Sequence, residues 1–391
     1  MTDRQRHDLK HHVINPECST RGDTRKSRHR QRVWVGMSTT AAAVSNPEQA
    51  RTETPEGGVG ESRRERWQRR RVSIPSMLGA TATAFLLAPL IAGCLIVWDT
   101  LSGRLRLPRL RLFGIALQYL FNDTVEILLS PLLWVAAGFG TRLDSPASVR
   151  RHARLQRWSI EILARRTEQL LGLRIEVVGE AALDPAPVIV LSRHASLLDA
   201  SLPALLYSGL PQYSVRGVIM SEMLSDPGFD LLYGRLGSVF INRDRGVQAR
   251  TAIRALGEGL DDTSVGVICP EGRLFDPAAL ERALARLTES DPDRAAGLRH
   301  LRHLLPPRPG GVLALLQGAP EADVIVVMHA GFESIPSIAE LARHAPLESS
   351  IEVGIERFDR ADLPTDERGI TEWLDQVWLR GDEWVDQRLD V

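Results

Sequence analysis

Three hydropathy regimes follow one another along the chain. Residues 1–72 are polar, rich in Arg, Ser, Thr, Pro and Gly and poor in large apolar side chains. Such a segment buries too little surface to offset its ordering entropy, so it is expected to be a disordered basic tail. Residues 73–142 are expected to hold one or two membrane-associated helices. Ser76 to Trp98 is uncharged and almost wholly apolar, about the 20 residues a spanning helix needs, and Trp98 suits an interface. The run starts too far into the chain, and is too long, for a removable signal peptide. Leu112 to Phe139 is less uniform, because Asn122, Asp123 and Glu126 interrupt it and charge at mid-bilayer is costly. A second span, a re-entrant arm and an interfacial helix all remain open for it.

From residue 150 the period shortens. Arg150 to Leu171 has the spacing of an amphipathic helix and is stopped by Gly172. Short apolar runs follow at 174–178, 187–191, 214–220, 238–242, 265–269, 324–328 and 351–355, with helical patterns at 197–207, 246–260 and 277–287 between them. Strands alternating with helices predict an α/β domain over 150–391, a mostly parallel sheet flanked by helices. Trp373, Trp378 and Trp384 recur at helical spacing near the C-terminus and are read as packing or interfacial residues.

Composition changes this picture little. Over 391 residues the formal net charge is -1, which gives no reason to expect a nucleic acid partner. The average hides a basic N-terminal portion that ends in Arg63-Arg64-Glu65-Arg66-Trp67-Gln68-Arg69-Arg70-Arg71. Just before an apolar run, such a cluster reads as a patch for anionic lipid. Arg104, Arg106, Arg109 and Arg111 lie between the two apolar stretches. Both groups of arginines prefer the cytoplasmic side, which a single full span between them would forbid. The three cysteines, Cys18, Cys94 and Cys269, have neither metal spacing nor a pairing logic.

The candidate chemistry starts at Arg193-His194-Ala195-Ser196-Leu197-Leu198-Asp199, directly after the apolar run Val188–Leu191. The carboxyl end of a strand is where sites form in open α/β sheets. An Asp five positions on can fold back to the imidazole, fix its tautomer and stabilise the imidazolium. On its own the pair reads better as a structural His with a helix-capping Asp. Two later segments shift the balance: Gly237-Ser238-Val239-Phe240-Ile241-Asn242-Arg243, and Cys269-Pro270-Glu271-Gly272-Arg273. An Arg at a strand end offers a planar fork for phosphate oxygens, and Gly272 lets backbone approach a ligand.

In this order and spacing the three segments resemble the blocks of the glycerolipid acyltransferase family, whose members acylate lysophospholipids or glycerol phosphate. The likeness extends over about residues 110–390 and includes Leu304-Leu305-Pro306-Pro307-Arg308-Pro309-Gly310-Gly311, similar to a lysophospholipid acyltransferase branch with a longer insert, here residues 276–303. Two departures are visible. Arg193 replaces the usual Asn before the histidine, and the third block, normally Pro-Glu-Gly-Thr-Arg, lacks its Thr, so Arg273 arrives one residue early.

The resemblance implies a membrane-bound O-acyltransferase of phospholipid biosynthesis or remodelling, with 1-acyl-sn-glycerol 3-phosphate as the default acceptor. His194 is then the general base and Asp199 its orienting partner. Arg243, Glu271, Gly272, Arg273 and Arg308 bind the acceptor. Acyl-CoA or acyl carrier protein serves as co-substrate, and no metal or other cofactor is implied. The implied place is the cell membrane, with the catalytic domain in the cytoplasm. A membrane-anchored scaffold with a decayed domain and a lipid esterase are the alternatives. The esterase lacks a Gly-x-Ser-x-Gly elbow.

Overall fold

A doubly capped helix opens the described chain. In this computed structural model, residues 57–178, 183–196, 198–242, 245–334 and 338–389 are described. The expected tail up to residue 56 lies outside them. Ser62 Oγ accepts the Glu65 N–H at 3.2 Å and the Glu65 carboxylate accepts the Ser62 N–H at 2.8 Å. This capping box starts α1, Arg63–Leu101. Residues 63–72, assigned to the tail from sequence, are therefore helical, and the helical region begins ten residues earlier than expected. The cause is electrostatic. Arg69 and Arg70 reach the fully buried carboxylate of Asp230 at 2.8 and 2.7 Å, and Arg69 also pairs with Glu61 at 2.9 Å. These two arginines neutralise a buried charge instead of facing lipid.

α1 packs against α2, Pro108–Ala136, and both helices are long and apolar enough to cross a membrane. Asp99, fully buried, fastens the turn between them. It accepts the Arg109 N–H at 3.1 Å, capping α2, and pairs with the Arg109 guanidinium at 2.6 Å. That guanidinium lies 4.5 Å from the Trp98 ring centroid. Arg106 reaches Glu348 at 3.1 Å and Arg111 donates to the Leu170 carbonyl at 2.9 Å. The start of α1, the turn that follows it and the start of α2 are thus tied to the α/β domain. The polar residues of α2 turn toward that domain as well. Asn122 donates to the Ser159 carbonyl at 2.9 Å, Tyr119 donates to Asp226, and Asp123 and Glu126 are buried. Outward stand Leu86, Leu90 and Trp98 of α1 and Leu128 and Leu132 of α2.

α3, Pro146–Leu171, runs from a Ser145 cap to Gly172. β1 is Arg174–Val178, β2 Val188–Ser192 and α4 Leu202–Leu206. β3 is Ser214–Met220, β4 Val239–Ile241, α5 Gly246–Glu258 and β5 Ser264–Ile268. α6, Pro277–Ser290, and α7, Pro292–Leu298, fill the insert. α8, Pro309–Gly318, precedes β6, Asp323–Ala330. α9, Ile338–His344, β7, Ser350–Phe358, and α10, Glu367–Leu389, complete the chain.

The seven strands form one sheet in the order β1-β7-β6-β2-β5-β3-β4. Every pair is parallel except β6 with β7, so the expected mostly parallel α/β sheet is present. Alternate side chains of β2 explain why it reads as a continuous apolar run. Ile189 and Leu191 enter the core beneath α5, α8 and α10, while Val188 and Val190 enter the core beneath α3 and α4. Trp378 is fully buried in the first of these cores and Trp373 and Trp384 pack against it, which makes all three packing residues. α5 and α8 cross closely, and a Cβ on Gly257 would stand 2.6 Å from the Leu315 carbonyl oxygen.

The run 197–207 departs from a single helix. It is a 3-10 turn at Asp199–Ser201, the short α4 and a second 3-10 turn at Tyr207–Gly209. Pro203 has no N–H to give back to Asp199, so an α-helix cannot continue through that position.

Candidate active site

The central strands β6, β2 and β5 end side by side, and the residues that follow them interlock through main-chain hydrogen bonds. Arg193 N–H extends the β2–β6 ladder to the Val327 carbonyl at 3.0 Å. Beyond it the chain turns sharply, and Asp199 folds back over the turn. Asp199 Oδ2 accepts the N–H groups of Ala195 and Ser196 at 2.6 and 2.7 Å, and Oδ1 faces His194 Nδ1 at 2.6 Å. Both expected catalytic residues are therefore in contact. Asp199 is buried and the His194 side chain is 21% exposed. With Nδ1–H directed at the carboxylate, Nε2 is the nitrogen that can take a proton.

Burial alone would raise the Asp199 carboxyl, but the hydrogen bonds from His194 and His329 outweigh it and hold the group well below the usual carboxylate range. His329 was absent from the sequence reading. It is fully buried at the end of β6, with Nε2 3.2 Å from Asp199 Oδ2. No sequence signal marks it, since it ends an apolar run and has no local partner.

Glu271 departs from its expected place at the acceptor. Its side chain is buried, Oε1 accepts the His194 N–H at 3.0 Å, and Oε2 accepts the Leu305 N–H at 3.0 Å. The carboxylate ties the β2 turn to the segment before α8. The physical reason is that two main-chain donors left over at adjoining loops need an acceptor away from water. Burial pushes Glu271 up to about 7, against the opposing pull of Arg193 and its two N–H donors. Phe275 N–H closes the same set, donating to the His194 carbonyl at 2.9 Å. Burial, followed by the charges of Asp199 and Glu271, raises the Cys269 thiol, which makes Cys269 a poor nucleophile.

Gly272 takes a left-handed φ of +68°, and a Cβ there would stand 3.4 Å from Arg308 Cδ. The Arg308 side chain therefore lies along this turn, and its N–H donates to the Pro270 carbonyl at 2.9 Å. Arg273, two-thirds buried, reaches Asp276 at 4.0 Å. Gly272, Arg273 and Arg308 lie together next to the His194 turn. Arg243 lies outside the described residues, although β4 brings Asn242 to the same end of the sheet. Arg250, not foreseen, passes within 3.8 Å of the place a Gly246 Cβ would take and 3.7 Å of the corresponding place on Gly310. It therefore adds a cation between the second block and α8. Arg193, in the place of the usual Asn, is fully buried and donates to Glu333, to the His329 carbonyl and, at 2.8 Å, to the His303 carbonyl.

The His–Asp pair stands at the carboxyl end of a central strand, inside the part of the chain that a family model matches. Residues 174–328 match the Acyltransferase family model. Among solved structures, the crystal structure of the 1-acyl-sn-glycerophosphate (LPA) acyltransferase PlsC from Thermotoga maritima is similar over 68% of this chain and 97% of its own, at 18% identity and a TM-score of 0.40. No curated protein matches.

Proposed function

We propose that this protein is a membrane-associated O-acyltransferase that moves a fatty acyl chain from an acyl thioester, on CoA or acyl carrier protein, to the hydroxyl of a lysophospholipid. The acceptor of first choice is 1-acyl-sn-glycerol 3-phosphate. The observation that supports this most is the 2.6 Å contact of His194 Nδ1 with a buried Asp199, inside the segment that matches the Acyltransferase family.

The acceptor hydroxyl gives its proton to His194 Nε2 as its oxygen attacks the thioester carbonyl. Asp199 stabilises the imidazolium that forms. The tetrahedral intermediate then expels the thiolate, which recovers the proton from His194. Arg273 and Arg308, beside the open turn at Gly272, offer guanidinium forks to the acceptor phosphate. Arg243 belongs to the same group by its place in the second block. Glu271 holds the His194 turn in register.

The membrane part of the reading is supported by the apolar outer face of α1 and α2 together with the attachment of the start of α1 at Asp230, and of the α1–α2 turn and the start of α2 at Glu348 and Leu170. A pair of helices so tied is read as an element that meets the bilayer from the side of the α/β domain. That arrangement reconciles arginines before and after the first apolar run with one cytoplasmic face.

The test is acyl transfer from radiolabelled long-chain acyl-CoA or acyl carrier protein to a panel of lysophospholipids and glycerol 3-phosphate, using membranes with wild type or His194→Ala. A labelled product that disappears in His194→Ala supports the reading, and the preferred acceptor names the substrate. Equal turnover by both proteins, or none by either across the panel, would overturn it.

A further inference from the structure

We propose that His329 is a positioning residue of this site, whose Nε2–H on the far oxygen of Asp199 completes the donor set that fixes the carboxylate against His194. The proposal rests on the reading of His194 as the proton acceptor.

His329 Nε2 lies 3.2 Å from Asp199 Oδ2 and 3.3 Å from the Arg193 carbonyl oxygen. Both neighbours are acceptors, so this nitrogen carries the hydrogen. Nδ1 has no hydrogen-bond partner among the described residues. The ring instead meets Phe332 edge to face, with centroids 5.1 Å apart. Core packing does not account for this residue. A buried imidazole kept only for its shape would be replaced at no polar cost by an apolar side chain. Here the single polar edge is spent on a carboxylate that already holds another histidine.

The count of donors gives the reason. A carboxylate offers about four lone-pair sites. Asp199 receives four donors, the Ala195 and Ser196 N–H groups and His329 Nε2 on Oδ2 and His194 Nδ1 on Oδ1. The backbone of His329 is itself pinned, since its carbonyl accepts from the buried Arg193 guanidinium. Arg193 with its partner Glu333, Cys269 and Glu271 also lie beside the pair. Removing the His329 donor takes away one of these four stabilising contacts and makes Asp199 a stronger base toward His194.

The experiment compares His329→Phe, which keeps the ring against Phe332, with His329→Gln, whose terminal amide reaches the place of Nε2. The His194 ring is titrated by NMR with labelled histidine in detergent, and the pH profile of kcat/KM is recorded. Thermal unfolding confirms that each variant is folded. In His329→Phe the His194 midpoint and the acid limb move up together by about half a unit or more. In this variant kcat falls about five- to twentyfold, with KM for the acceptor unchanged. His329→Gln restores both values. The proposal is overturned if folded His329→Phe titrates like wild type, or if the Phe and Gln variants behave alike. Should His329→Phe not fold, the comparison passes to His329→Gln against His329→Asn, of which only the longer side chain reaches Asp199. The NMR titration needs no turnover, so it decides about His329 even if the transfer assay rejects the acyltransferase reading.

Discussion

Asp199→Asn separates orientation of the base from mere packing, because the structure dictates which way the new amide must face. Asp199 Oδ2 receives two main-chain N–H groups at 2.6 and 2.7 Å and His329 Nε2 at 3.2 Å, whereas Oδ1 receives only His194 Nδ1 at 2.6 Å. With the amide nitrogen on the Oδ2 side, three donors would confront an NH2 group. Each unsatisfied donor would cost about 1–3 kcal/mol. The amide oxygen therefore takes that side and the NH2 faces His194. The imidazole can meet it only by giving up the Nδ1 hydrogen and placing it on Nε2, which then has no lone pair for the acceptor proton.

The turn survives while the base is lost. The expected result is a fall in kcat of about 10²–10⁴, or roughly 3–5 kcal/mol of barrier. Unfolding stability should drop by no more than about 1–3 kcal/mol. Acyl transfer to the acceptor identified in the panel measures the first, and thermal unfolding in detergent the second. A folded variant that keeps more than about a tenth of wild-type kcat, under conditions where His194→Ala is inactive, would refute the tautomer argument.

Other predictions follow from the same contacts. Arg308→Ala should raise KM for a phosphorylated acceptor by about 10- to 100-fold, from the loss of a charged hydrogen bond, and leave KM for the acyl donor nearly constant; equal shifts in both would remove Arg308 from the acceptor. Glu271 lies at about 7 in the folded protein against an ordinary 4.5. Its contribution to stability is therefore fully present below about 4.5 and fades as the pH rises through about 7. Wild type should lose thermal stability across that window more steeply than Glu271→Gln, and parallel curves would contradict the assignment. Asp230→Asn leaves Arg69 and Arg70 without their buried counter-charge, a change worth about 3–5 kcal/mol, and should expose the start of α1 to trypsin; an unchanged digestion pattern would count against the anchor. Gly257→Ala forces α5 and α8 apart at the Leu315 carbonyl and should destabilise the protein by about 1–3 kcal/mol without altering KM; an unchanged unfolding midpoint would show that the crossing can relax.

The sequence by itself determined most of the elements and the His194–Asp199 pair. Strands buried on both faces must be apolar throughout, which is why β2, β5 and β6 stand out as runs, and why the sheet and its parallel sense could be read from alternation with helices. His194 and Asp199 were legible because their contact is local: one turn, five positions and a strand end fix it. Gly272 was legible because a left-handed turn favours glycine wherever it occurs.

Only the tertiary structure decided the rest, and in each case the partners are distant in the chain. Arg69 and Arg70 read as a lipid patch until the fold supplied Asp230, more than 150 positions away. Asp123 and Glu126 argued against a membrane helix until α2 turned them inward. Glu271 read as a ligand contact until the fold presented it with the N–H groups of His194 and Leu305. His329 gave no signal, because what makes it a neighbour of Asp199 is the parallel pairing of β6 with β2. Hydropathy and local turns are written along the chain, but the partner of a buried charge is chosen by strand order.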